Sequence, residues 1–235
     1  MLFFYNSFLK ENLKNLLSLY LTSSQVEFIL EFIKTHGYYI HPSFFKKGYR
    51  GVVLLLKDKK NNLFILKVKR KDTIKSLKKE YDILKFLENY DLAPKVYYFD
   101  LNNQFILMDY IKGVTFFDYK NIFKKNLIEK DKFLTYLKNI IKACHTLDKL
   151  KIFHGELIKG KHIYLYKGKI KFIDFESAKF TKSPKNLPQF IGGNILNDKQ
   201  LIDLLNLKKE DIFLFLREYK KSNDVDSFFK DKKLF

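Results

Sequence analysis

The chain has 235 residues, of which 46% are apolar and 30% are charged, with one cysteine and no tryptophan. This length fits one domain or two small lobes, and the composition excludes a disordered chain, a collagen and a disulfide-stapled scaffold. Because Cys144 has no partner within the chain, an internal disulfide is excluded too. With 45 Lys and Arg against 26 Asp and Glu, the formal net charge is +19.

The excess of positive charge predicts attraction to polyanions and says nothing about the fold. The lysines are scattered along amphipathic segments, which favours a solvated surface over a dedicated nucleic-acid face, although both interpretations stay open. No apolar run approaches the roughly 18 residues that a membrane span needs, and the first residues lack the pattern of a secretory signal. We therefore expect a soluble, cytoplasmic protein without a membrane partner.

Residues 7–35 predict two short helices at the N-terminus. Ser24 and Glu27 have the spacing of a capping box, and Gly37 has the position of a helix stop. Two basic helices joined by a short turn are compatible with a DNA reader. The pattern favours an extension that packs on the rest of the fold, because one helix carries an apolar stripe of Val26, Ile29, Leu30 and Ile33.

From residue 44 the hydrophobic period changes to that of strands, which gives a β-β-β-α-β-β order for the rest of the first half. The segments we predict are strands at 49–57 and 62–69, a helix from Asp72 to about Tyr90, and strands at 96–100 and 104–111.

The second half is mostly helical in pattern. We predict a helix over 131–150 with Asp131 as its cap, a loop from Ser177 to Gly193, and two closing helices near 198–206 and 208–221. Cys144 lies on the apolar stripe of the first of these helices, so we interpret it as a core residue. The five histidines show no metal-ligand spacing.

A hairpin between two motifs carries the strongest chemical signal. If Lys167-Gly168 is its two-residue turn, Ile163 faces Phe172 and Lys161 faces Asp174. This register brings the loop that contains Glu156 close to Asp174, at one end of the hairpin. Two carboxylates in such a position can hold Mg²⁺ and orient a hydroxyl nucleophile.

Three weaker signals lie earlier in the chain. Gly48 and Gly51 precede an apolar strand, where backbone N–H groups can approach phosphate oxygens, although such turns are common. Lys67 lies inside an apolar strand and needs an anion if it is buried. Glu80 borders the apolar face of the predicted helix, where a solvated glutamate is the ordinary interpretation.

In their order, these residues resemble the signature set of the eukaryotic-like protein kinase superfamily over about residues 44–180. The resemblance implies an α+β, bilobal protein-kinase-like fold. It consists of a mainly antiparallel β-sheet N-lobe with one helix, a reduced helical C-lobe and an N-terminal helical extension. The corresponding domains are residues 1–37 for the extension, 38–111 for the N-lobe and 112–235 for the C-lobe.

The resemblance also implies ATP and Mg²⁺ as cofactors and assigns roles to residues. Lys67 pairs with the ATP phosphates, Glu80 orients Lys67, Glu156 is the catalytic-loop carboxylate, and Asp174 binds the metal. Glycines cover the phosphates and a hinge strip that starts at a gatekeeper methionine contacts the adenine; the residues implied are Gly48, Gly51, Met108, Asp109, Tyr110 and Ile111.

The brevity of the chain, HG rather than HR in the catalytic loop and the absence of a long C-terminal half resemble the RIO-type and tRNA-modification-associated kinases of archaea. The residues KHI and IDFE resemble more closely an archaeal family of small serine/threonine kinases. Three departures stand out: Glu156 replaces Asp, Lys161 replaces the Asn of the second metal site, and Glu176 replaces the Gly of DFG. We hypothesise that Lys161 supplies part of the second metal's positive charge. No APE triplet is visible, which leaves the substrate open.

The sequence thus predicts an ATP-dependent phosphotransferase, a serine/threonine protein kinase that acts on an unidentified protein. One alternative is a catalytically weak, nucleotide-binding pseudokinase. A second is an ATP-switched factor that associates with RNA, the ribosome or a tRNA-modification assembly through its basic surface. A third is a small-molecule phosphotransferase.

Overall fold

A computed structural model describes residues 7–48, 50–222 and 224–225. These residues form two compact units. The first unit contains the chain up to Lys85 together with Lys95–Tyr110, and the second contains Phe86–Pro94 and the chain from Ile111 onward. The predicted division into an extension and two lobes stays a prediction.

The first unit is built on a five-stranded antiparallel sheet in the order β1-β2-β3-β5-β4. Two helices precede the sheet and a third helix, shared with the second unit, interrupts it. The elements are α1 (Ser7–Ser18), α2 (Ser23–Thr35), β1 (Tyr39–Lys47), β2 (Gly51–Lys57), β3 (Leu63–Lys69), α3 (Lys78–Leu87), β4 (Val96–Asp100) and β5 (Phe105–Asp109).

One apolar core joins the N-terminal helices to the sheet. Leu54, Leu66 and Phe105 project from the sheet into the same cluster as Val26 and Ile29 of α2. Since successive side chains of a strand point to opposite faces, Lys67 of β3 lies on the face opposite Leu66. The extension is therefore a packing element that covers one face of the sheet, as the sequence pattern favours.

Two helix starts differ from the predictions. The capping box of α2 is formed by Thr22 and Gln25, and not by Ser24 and Glu27. Helix α3 begins at Lys78 rather than at Asp72, whose carboxylate pairs with Arg70. The start is fixed from outside the segment, because the Gln104 side chain accepts hydrogen bonds from the Ser76 hydroxyl and the Leu77 N–H. Such a contact leaves no local sequence signal.

The second unit is mainly helical and has two small sheets, in the orders β6-β8-β9 and β7-β10. With it, the described part of the chain contains eight α-helices. The elements are β6 (Val114–Thr115), α4 (Phe116–Lys124), α5 (Lys130–Lys149), β7 (Ile152–Phe153), β8 (Ile163–Tyr166), β9 (Lys169–Phe172), β10 (Lys179–Phe180), α6 (Asn186–Ile191), a π-helical turn (Gly192–Leu196), α7 (Lys199–Leu205) and α8 (Lys209–Ser222).

The hairpin of β8 and β9 has the predicted register, with Ile163 opposite Phe172 and Tyr166 opposite Lys169. Both turn residues have positive φ, 50° at Lys167 and 76° at Gly168. This is the backbone of a two-residue turn whose twist matches that of the strands, so the hairpin register is confirmed.

Three other predictions for this unit need correction. The cap of α5 is Glu129, and Asp131 lies within the first turn. Helix α4 was not predicted. The segment from Ser177 to Gly193 is not a continuous loop, because it contains β10 and α6.

Cys144 is fully buried in α5, and burial raises the pKa of its thiol well above the ordinary value. This supports its interpretation as a core residue. Among the helices of the described residues, none combines the length and the apolarity that crossing a bilayer requires.

We predict that Gly113→Ala destabilises the protein, because a Cβ at this position would lie 2.4 Å from the Leu165 backbone oxygen. Relieving this overlap requires a shift of β6 against β8, and we expect a loss of about 1–3 kcal/mol in urea unfolding. Gly192→Ala is the matched control, since its Cβ would meet no atom within 4 Å. Equal stabilities of the two variants would contradict the prediction.

Candidate active site

The first unit contains a buried ion pair between a strand and a helix. The Lys67 Nζ on β3 lies 2.9 Å from Oε1 and 2.8 Å from Oε2 of Glu80 on α3. The two side chains are only 7% and 3% exposed. A buried ammonium is stable only with an anion beside it, and α3 supplies that anion. This is the pairing that the kinase resemblance implies.

The two predicted glycines close the turn between β1 and β2. The Gly48 N–H donates to the Gly51 oxygen at 2.8 Å, and a Cβ at Gly48 would lie 3.0 Å from that oxygen. The Arg70 guanidinium donates to the Gly48 oxygen at 3.1 Å. The glycines therefore permit a tight turn, and Arg70, the residue after β3, stabilises it by this hydrogen bond.

The predicted hinge residues lie at the end of β5 and directly after it. Met108 is buried on this strand, opposite Ile65. The Asp109 carboxylate accepts a hydrogen bond from the Tyr97 hydroxyl at 2.8 Å, so it anchors β5 to β4. Tyr110 is the last residue of the first unit, and the buried Ile111 belongs to the second, whose longer segment begins there.

In the second unit, His154 joins the loop that contains Glu156 to the end of β9. Its Nε2 lies 3.0 Å from the Ile173 oxygen, and the Glu156 N–H donates to its Nδ1 at 3.4 Å. Burial lowers the pKa of His154 to about 4, so the ring is neutral at pH 7. Because Nδ1 accepts, the ring proton is on Nε2, which donates to the Ile173 oxygen. This fits the predicted supporting role of His154.

Three side-chain amides from the segment after β10 hold the same loop. Asn186 accepts from the His154 N–H at 2.8 Å, and Asn194 donates to the Leu157 oxygen at 2.8 Å. Gln189 contacts the loop twice, donating to the Gly155 oxygen and accepting from the Leu157 N–H. This amide clamp was not predicted from the sequence, because the composition of residues 177–193 is typical of a loop.

Two carboxylates and an imidazole converge beside the hairpin. The Glu156 Oε2 lies 3.4 Å from Nε2 of His162, and the Asp174 Oδ2 lies 4.0 Å from Nδ1 of the same ring. The Ser177 hydroxyl donates to the other oxygen of Glu156 at 2.5 Å. One ligand atom from each of Glu156, His162 and Asp174 lies within 4.8 Å of the other two, so the group can hold a metal ion. The spacing of the histidines in the sequence gave no sign of this group, because the fold brings His162 together with carboxylates from two other segments.

The ladder that the register predicts between Lys161 and Asp174 is not formed. Asp174 has a left-handed backbone, with φ 63° and ψ 70°, so the chain leaves the ladder at this residue. The last contact of the hairpin is the Ile173 N–H to the His162 oxygen, at 3.0 Å. The Lys161 ammonium instead lies 5.2 Å from the centroid of the Phe117 ring. Its catalytic role stays a prediction.

Comparison with known proteins identifies the family. Residues 46–195, more than half of the chain, match the family described as the protein kinase domain. The chain is also 33% identical over 97 residues to an uncharacterized protein of Methanocaldococcus jannaschii, an overlap that covers 40% of this chain and 83% of that protein.

The chain therefore belongs to the protein kinase domain family and has its α+β fold. Membership places it among the protein-kinase-like phosphotransferases, which is the class that the sequence resemblance implies.

We predict that His154 makes the folded state less stable as the pH falls. The unfolded chain takes up a proton near the ordinary pKa of about 6.5, whereas the folded chain resists protonation until about pH 4. Stability is therefore lost between these two values, by about 2 kcal/mol from pH 7 to pH 5.

Urea unfolding at pH 7, 6 and 5 gives the free energy of unfolding of the wild type and of His154→Asn. The difference between the slopes of these free energies against pH measures the contribution of His154. His36→Asn, which removes an exposed imidazole, should keep the wild-type slope. Parallel curves for the wild type and His154→Asn would refute the prediction.

Proposed function

We propose that this chain is an ATP-dependent serine/threonine protein kinase, which transfers the γ-phosphate of ATP to a hydroxyl group of another protein. The observation that carries the proposal is the buried, bidentate ion pair of Lys67 and Glu80 in a chain of the protein kinase family. A buried pair of this kind costs desolvation energy, so it is weak as a device for stability alone. It is well suited to holding one ammonium in a fixed position for phosphate oxygens.

In the proposed mechanism, the first unit supplies the groups that bind the nucleotide. Lys67 contacts the phosphate oxygens and Glu80 fixes its orientation. The backbone at Gly48 and Gly51 covers the phosphates, Met108 is the gatekeeper, and the adenine is contacted by the strip Asp109, Tyr110 and Ile111. We assign residues 38–111 to the N-lobe, 112–235 to a reduced C-lobe and 1–37 to the extension.

The carboxylates of the second unit fit a divalent cation. Glu156 and Asp174 lie in one group whose ligand atoms are within 4.8 Å of one another, and we assign the cation to Asp174. Mg²⁺, when bound, supplies neutralisation of the phosphate charge. Lys161, which stands where the family has Asn, has no lone pair to offer a cation. We propose that its ammonium supplies positive charge, which leaves a site for one Mg²⁺.

Glu156 is the residue that we propose accepts or orients the proton of the substrate hydroxyl. The hydrogen bond that it accepts from the Ser177 hydroxyl supports this role, because the proton of an alcohol is the kind of donor that the role requires it to bind. His154 and the amide clamp act as positioning residues. They fix the backbone on either side of Glu156, so the longer glutamate side chain starts from a defined point.

A nucleotide-binding pseudokinase is the second candidate function. It is favoured by Lys161, which stands where the family has a metal-binding Asn and cannot itself bind a cation. An RNA-associated or ribosome-associated role rests on net charge alone and gains no support from the comparisons. The small-molecule phosphotransferase shares the proposed nucleotide-binding groups and differs only in the acceptor.

We predict that Lys67→Ala and Asp174→Ala each slow the transfer of labelled γ-phosphate by about 10²–10³-fold, because each removes one preorganised charge from the reacting phosphates. The matched controls are Lys69→Ala, on the same face of β3, and Asp203→Ala, on the exposed side of α7. Both controls should keep the wild-type rate. The assay uses protein acceptors that contain serine and threonine, and phosphoamino-acid analysis of the product tests the specificity.

Thermal unfolding with and without ATP and Mg²⁺ completes this test. A nucleotide-dependent shift without any transfer would select the pseudokinase. Transfer that survives both alanine substitutions would reject the proposed site.

A further inference from the structure

The imidazole of His162 lies between the two carboxylates of the proposed phosphotransfer site. We infer that Glu156, His162 and Asp174 bind one divalent transition-metal ion, of the class of Zn²⁺ and Mn²⁺, in the absence of nucleotide. Each residue provides one ligand atom, and the three atoms lie within 4.8 Å of one another. This site differs from a carboxylate site for Mg²⁺ in containing a nitrogen ligand.

The spacing of the ligand atoms fits such an ion. In a tetrahedral site with bonds of about 2.1 Å, neighbouring ligand atoms are about 3.4 Å apart. A metal ion takes one nitrogen of an imidazole, and one ring nitrogen of His162 lies within 4.8 Å of an oxygen of Glu156 and of an oxygen of Asp174. Side-chain rotations that bring these atoms closer together, by about 1.4 Å at most, would close the site around one ion.

The chemistry of the ligands favours a transition metal over Mg²⁺. Mg²⁺ selects oxygen ligands in a near-ideal octahedron, whereas Zn²⁺, Mn²⁺ and related ions accept an imidazole together with carboxylates. The Nδ1 of His162 is shielded from solvent and has no hydrogen-bond partner among the residues that the structure describes. A metal ion is one species that would satisfy this nitrogen and the two carboxylates at once.

The ligands are held in place by contacts that do not involve a metal. The Ser177 hydroxyl occupies Oε1 of Glu156 and leaves Oε2 toward His162. The backbone of His162 is tied to Ile173, one residue before Asp174, and His154 ties both to the loop of Glu156. Outer contacts of this kind orient metal ligands and raise affinity. The side chains of the three ligands are 26–40% exposed, which leaves room for an ion to enter and for water to complete its coordination.

The inference shares two residues with the proposed function but does not depend on it. It is tested with metal ions alone, and catalytic turnover is not the readout. A chain that binds Zn²⁺ but transfers no phosphate would support the inference and reject the proposed kinase activity. A chain that transfers phosphate but binds no Zn²⁺ would do the reverse.

The experiment is titration calorimetry of the full chain with Zn²⁺, without nucleotide. We expect one site in the wild type and an affinity for Zn²⁺ at least about ten-fold lower in His162→Asn. Loss of a residue that only orients a metal ligand lowers metal affinity by about ten-fold or more, and loss of the ligand itself should cost at least as much. The matched control is His36→Asn, which removes an exposed imidazole far along the sequence and should keep the wild-type affinity. Equal affinities of the wild type and His162→Asn, or the absence of a site in the wild type, would overturn the inference.

A spectroscopic measurement on Mn²⁺ identifies the ligand without relying on affinity. Pulsed electron paramagnetic resonance of the Mn²⁺-loaded wild type should show coupling to an imidazole nitrogen, and His162→Asn should lose it. Coupling that persists in His162→Asn, or that is absent from the wild type with Mn²⁺ bound, would assign the nitrogen elsewhere and overturn the site. Thermal unfolding of both variants shows that each is folded before it is compared.

Discussion

The second unit depends on a single neutral imidazole. His154 donates to the Ile173 oxygen at the end of β9 and accepts from the Glu156 N–H in the loop before β8. The hairpin of β8 and β9 separates these two segments in the sequence. Their acidic residues, Glu156 and Asp174, must nevertheless lie close together for any metal or phosphate chemistry. A protonated ring could not accept from Glu156, so the burial that keeps the pKa of His154 low also keeps the two segments joined.

Around this contact, side-chain amides hold the backbone of the loop by hydrogen bonds. Asn186, Gln189 and Asn194 together hold the backbone on both sides of Glu156. Asn186 is itself fixed by the buried Asp148, whose carboxylate also accepts from the Tyr219 hydroxyl of α8. The loop is thus connected through α5 to a helix near the end of the described chain. This network provides a scaffold for the loop in a chain without a visible APE triplet.

In the first unit, the corresponding constraint is the burial of the Lys67 ammonium beside the sheet. The face of β3 that carries Leu66 and Val68 packs into the core with the N-terminal helices. The opposite face carries Lys67, and Glu80 of α3 neutralises it there. Family membership and this ion pair agree on a phosphotransferase, whereas Glu156, Lys161 and Glu176 of the second unit stand where the sequence resemblance expects Asp, Asn and Gly. The imidazole of His162 adds a nitrogen ligand at that point.

Features that depend on neighbouring residues could be predicted from the sequence. Hydrophobic periods located most strands and the long helices, and the turn Lys167-Gly168 set the register of the hairpin, because both are governed by local backbone geometry. The order of Lys67, Glu80, Glu156 and Asp174 was enough to identify the family. The start of α3 was not predictable in the same way, since Gln104 sets it from a distant turn.

The tertiary structure was needed to show which side chain faces the acidic residues. Counting along the ladder puts Lys161 opposite Asp174, but the left-handed backbone of Asp174 ends the ladder and brings His162 beside the carboxylate. The amide clamp was likewise invisible, because it joins residues more than thirty positions apart. Local periodicity reports where a chain is regular, which was enough to place Lys67 and Glu80, whereas the surroundings of Glu156 and Asp174 are set by contacts between loops.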